Sequence, residues 1–79
     1  MNNTELITNL KLFRDKAFSH HSHYKAGQLW RLIAKDIHPD FYQKISIEWS
    51  HVQLGHGREQ ACAALDTEVK RYINYLENI

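Results

Sequence analysis

Apolar residues recur every three or four positions in four separate blocks, with turn-forming residues between them. In the first block Leu6, Leu10, Phe13 and Ala17 lie on one stripe, with Ile7 and Phe18 beside it, which predicts an amphipathic helix over about 4–20. Asn3 or Thr4 can cap it. Ala26, Leu29, Trp30, Ile33 and Ile37 form a second stripe, predicting a helix over about 23–37 with Ser22 as its cap. Phe41, Tyr42, Ile45, Trp49 and Val52 place a third helix at about 41–53. The stretch KISIEW within it also alternates like a strand, but no second strand-like run offers a pairing partner.

The breaks are as informative as the stripes. Pro39 cannot continue a helix interior, and Asp40 with Gln43 three residues on fits a capping box for the third helix. Gly55-His56-Gly57 ends that helix, since glycine reaches the left-handed conformations that a helix terminus uses. A fourth helix then covers about 58–77, where Cys62, Leu65, Val69, Tyr72 and Leu76 repeat with heptad-like spacing and Ile73 stands alongside. The expected fold class is all-α, a small up-and-down bundle of four amphipathic helices in one domain, 1–79. Its aromatic core would hold Phe13, Phe18, Trp30, Phe41, Trp49 and Tyr72.

Length sharpens this picture. A chain of 79 residues supports one small core and no second domain. A domain of that size buries only about 60% of its unfolded surface, so a homo-oligomer or a bound partner would add useful stability. Ten basic against nine acidic residues leave a formal net charge of +1, which argues against broad non-specific phosphate binding. The single cysteine, Cys62, has no internal disulfide partner, and MNNTELITNL lacks the basic and apolar regions of a signal peptide. With no apolar run of roughly 18 residues to span a membrane, the expected setting is cytoplasmic.

Candidate chemistry concentrates in FRDKAFSHHSHYK, residues 13–25, which holds three of the six histidines. Protonating all six would add six charges to a formal +1 in mildly acidic solution, near their reference pKa of about 6.5. At about 100° per residue Arg14 falls inside the apolar arc of the first helix, and His21 lies on nearly the same azimuth. A guanidinium there must snorkel past the helix edge, meet a carboxylate such as Asp36, Asp66 or Glu68, or face an anionic ligand.

The segment RDKAFSH, with Arg14, Asp15 and His20, resembles the Arg-polar-x-His motif of HEPN domains, helical bundles that often act as metal-independent ribonucleases in toxin and antiviral systems. The resemblance implies a catalytic role for Arg14 on the phosphate and for His20, or His21, in proton transfer at the ribose 2'-hydroxyl. Neutral-pH proton transfer suits an imidazole, and a planar guanidinium suits a phosphate fork. WRLIAKDIHPD, residues 30–40, is similar to the basic second helix and His-Pro-Asp loop of J-domain co-chaperones. Arg31, Lys35, His38, Pro39 and Asp40 would take those parts. Read on its own, the same tripeptide is a turn that stops one helix and starts another.

His20, His21 and His23 are close in sequence, but a structural zinc site wants four nitrogen or sulfur ligands, and His51, His56 and Cys62 belong to other segments. No metal and no cofactor is expected. No phosphate loop, serine elbow or Cys-x-x-Cys pair is present. Four short helices leave little wall for a small-molecule cleft. The leading expectation is a small helical interaction or regulatory module that binds and inhibits or adapts a larger protein, through Tyr24, Arg31, His23 and Tyr75. The first alternative is a HEPN-like ribonuclease using Arg14 and His20 or His21, with RNA as its partner. A small nucleic-acid-binding protein using Lys11, Arg14, Lys16 and Lys25 is the second.

Overall fold

A computed structural model describes every residue except His56, and of His20 the backbone only. Among the described residues four α-helices run in chain order: α1 Asn3–Ala17, α2 His23–Ile33, α3 Pro39–Leu54 and α4 Arg58–Glu77. Single 3-10 turns, His20–Ser22 and Ala34–Asp36, lie on either side of α2, and no strand occurs among the described residues. Lys44 to Trp49, the stretch with strand-like alternation, is helical throughout.

Side-chain links between the helices fix an up-and-down arrangement. His23 at the start of α2 reaches Ala17 at the end of α1, and Arg58 at the start of α4 reaches Phe18 just past that same end. His38, just before α3, reaches Tyr72 near the end of α4. Trp30 of α2 stacks on Tyr42 of α3, while His23 meets Trp49, so these two helices also run antiparallel. Seventeen apolar residues form one core, and no polar or charged side chain is buried with them among the described residues. Burying this apolar surface drives the fold, at roughly 25 cal/mol per Å² removed from water.

The helix ends differ from the sequence expectation in ways that capping chemistry explains. Asn2 caps α1 in place of Asn3 or Thr4: its side-chain oxygen accepts from the Glu5 amide at 2.8 Å, and its amide donates to the Glu5 carboxylate at 3.0 Å. The expected Asp40 box gives way to His38, whose Nδ1 accepts from the Asp40 amide at 3.1 Å, because Pro39 takes the first helical position that its fixed φ suits. Ser22 holds the cap position of α2 without a side-chain hydrogen bond. Gly55, at φ +80°, ends α3 in the left-handed conformation that the glycine pair predicts.

Two stripes are also shifted. α1 stops at Ala17 instead of continuing to 20, which carries Phe18 out of the core to 39% exposure. In α4 the buried position is Ala61, with Cys62 half-buried beside it. Tyr42, expected on the buried arc of α3, is exposed, and Phe41 packs against the core from its margin.

Candidate functional site

The α1–α2 elbow is built by side chains that reach back to a helix end. The last carbonyls of a helix lack partners within it. Here His23 Nε2 lies 3.0 Å from the Ala17 carbonyl, and Arg58 Nη2 donates to the Phe18 carbonyl at 2.9 Å. A carbonyl only accepts, so His23 carries its hydrogen on Nε2. The same ring stands edge-on to Trp49, with centroids 5.5 Å apart. His23 is thereby fixed at the mouth of the α2–α3 seam.

Beyond His23 the exposed side of α2 and the end of α3 enclose a small depression of about 210 Å³, lined by His23, Tyr24, Gly27, Gln28, Arg31 and Gln53. Tyr24, Gln28 and Arg31 lie four and then three residues apart, on one side of the helix. Tyr24 is 80% exposed. Arg31 is exposed and makes neither an ion pair nor a hydrogen bond among the described residues. Three of the four binding residues expected from the sequence thus share one concave surface.

Tyr75, the fourth, lies elsewhere. It packs half-buried against Phe41 and Tyr72, with centroids 5.1 and 6.1 Å away, and His38 covers it at 5.8 Å. Tyr72 has a displaced pKa. Burial pushes its phenol above the ordinary value of 10, while the hydrogen bond from the His38 backbone pulls the other way.

Arg14 points to α4. Its Nε lies 3.5 Å from Asp15 and 3.6 Å from Asp66, and Asp66 also pairs with Lys70 at 2.9 Å. Of Asp36, Asp66 and Glu68, Asp66 is the one it meets. His21 lies exposed on the 3-10 turn. The side chain of His20 lies outside the described residues, as does His56.

A second, wider depression of about 430 Å³ opens between α3 and α4, lined by Glu48, His51, Gly57, Gln60, Ala61 and Ala64. Sequence reasoning missed it; its only signal is the pair of alanines three apart near the start of α4. Its acidic group, Glu48, already lies 3.7 Å from His51 Nδ1. No three His, Cys, Asp or Glu side chains converge to hold a metal among the described residues, and none of these helices is long and apolar enough to cross a membrane. No protein-family model matches the chain, and no curated protein or solved structure matches it either.

Proposed function

We propose that the protein is a small helical interaction module that binds a larger protein through the outer side of α2 and acts by occlusion. One observation carries this reading: Tyr24, 80% exposed, and Arg31, which makes no ion pair or hydrogen bond among the described residues, line the same concave surface. Tyrosine and arginine are the residue types that gain most when an interface buries them, because each combines a large apolar body with directed hydrogen bonding. Tyr24 spends little conformational entropy on docking, since only two side-chain torsions must be fixed. Arg31 needs no existing bond broken before it can engage a partner.

The depression is too small to enclose a substrate, and the imidazole on its lining, His23, is held by its Nε2 against the Ala17 carbonyl. Those features favour binding over catalysis. The test is affinity capture from the native host with the wild-type chain, repeated with Tyr24→Ala and Arg31→Ala. A stoichiometric partner lost in both variants is the expected result. A partner retained by both would move the binding surface off α2.

A further inference from the structure

Gly27 sits in the middle of α2, where glycine destabilises a helix relative to alanine. The fold does not ask for it. Its φ is not positive, and a Cβ built there meets no atom within 4 Å. Position 27 lines the depression one turn after Tyr24 and one turn before Arg31. The helix therefore gives up stability at a lining position where a missing side chain lets an outside group approach the backbone.

The charged residues of α2 itself have one sign. They are Lys25 and Arg31, both exposed, with no carboxylate among them; Lys35 and Asp36 follow in the 3-10 turn. Across the seam, α3 contributes the neutral Gln53 to the depression. The carboxylates of α3 lie away from it: Glu48 lines the α3–α4 side beside His51, and Asp40 stands in the first turn of α3, at the opposite end of the helix from Gln53. What is missing from this surface is an anion.

Resting on the interaction reading above, we infer that the depression over Gly27 seats a carboxylate side chain from an acidic segment of the partner protein. The Arg31 guanidinium is its counter-ion, as a planar fork matches a carboxylate with two parallel hydrogen bonds. Tyr24 forms one wall, and the Gln28 and Gln53 amides supply further donors. A nucleic-acid backbone fits less well, because phosphate binding draws on many cations at once and this chain has a formal charge of only +1.

The test is an amide NMR titration of the full chain with acetylated, amidated hexaglutamate, repeated with Gly27→Ala and Arg31→Gln, and with hexauridylate as the competing anion. Saturable shifts should appear at the amides of Tyr24, Gly27, Gln28 and Arg31. Arg31→Gln should weaken binding about tenfold or more, the loss of one charge-assisted pair. Gly27→Ala should weaken binding by a similar factor while melting at a higher temperature than wild type, which separates filling of the seat from misfolding. Absent or non-saturable shifts at these amides, equal binding by both variants, or tighter binding of hexauridylate there would overturn the assignment. If hexaglutamate fails while Tyr24→Ala still releases the captured partner, the carboxylate assignment falls and the interaction reading stands.

Discussion

The Tyr72 hydroxyl accepts a 2.9 Å hydrogen bond from the His38 backbone amide, joining residues 34 apart in the chain. The same hydroxyl lies 3.5 Å from the Asp36 carbonyl, so one side chain of α4 ties down both sides of the α2–α3 connection. Tyr72 is 1% exposed. Replacing it with Phe keeps the ring packing and leaves the His38 amide unpaired. Tyr72→Phe should therefore cost about 1–2 kcal/mol in urea unfolding, with an unchanged circular dichroism spectrum.

Alkaline titration gives a second outcome from the same residue. Because burial raises the Tyr72 pKa above 10 in the folded chain, the folded state holds its proton where the unfolded state has lost it. This contribution is intact below pH 10 and is lost as pH rises from there through the folded value. Urea midpoints should fall above about pH 10 more steeply for wild type than for Tyr72→Phe. Parallel curves would show that Tyr72 ionises as freely in the fold as outside it.

Gly55 adopts φ +80°, a conformation that a side chain makes costly. Space is not the issue, since a Cβ there meets no atom within 4 Å. Gly55→Ala should destabilise by about 1 kcal/mol, in contrast to the stabilising Gly27→Ala. Thermal unfolding of the two variants side by side reads the difference in sign.

Arg14 and Asp66 connect α1 to α4 through a partly exposed pair, with side chains 20% and 26% accessible. Solvent screens such a pair, so a double-mutant cycle with Arg14→Met and Asp66→Asn should give a coupling of about 0.5–1 kcal/mol that shrinks in salt. Coupling of zero would leave Arg14 with no structural tie to α4.

Ribonuclease chemistry at Arg14 with His20 or His21 is a separate proposal with its own readout. An interaction module leaves RNA intact in chelator at high protein concentration. Cleavage that disappears in both Arg14→Ala and His20→Ala would support the HEPN-like alternative instead.

The four helices were legible in the sequence because each must bury a stripe, and Leu6, Leu10, Phe13 and Ala17, or Leu65, Val69, Tyr72 and Leu76, write that stripe at helical spacing. Their ends were less legible. Asn2 took its cap from Asn3 and Thr4, residues able by type, whereas His38 displaced Asp40, a better capping type, because Pro39 holds the first helical position and puts His38 before it. Phe18 read as core because the stripe continues through it; the shortening of α1, with Arg58 bonded to the Phe18 carbonyl, is a tertiary event that no local pattern records. Tyr24, Arg31 and His23 were singled out by residue type, but their convergence depends on how α2 leans on α3. Gly27, a glycine inside an otherwise regular helical block, lines the depression too, and the stripe pattern passes over it because an apolar stripe registers only the side chains that are present.

A photo-crosslinking benzophenone side chain placed at Gln28, in the depression on α2, and separately at Thr8, exposed on α1, tests the binding surface most directly. In the native host, irradiation should join the Gln28-labelled chain to a single larger protein and leave the Thr8-labelled chain uncoupled. Coupling from Thr8 with none from Gln28 would contradict the assignment of α2 as the docking helix.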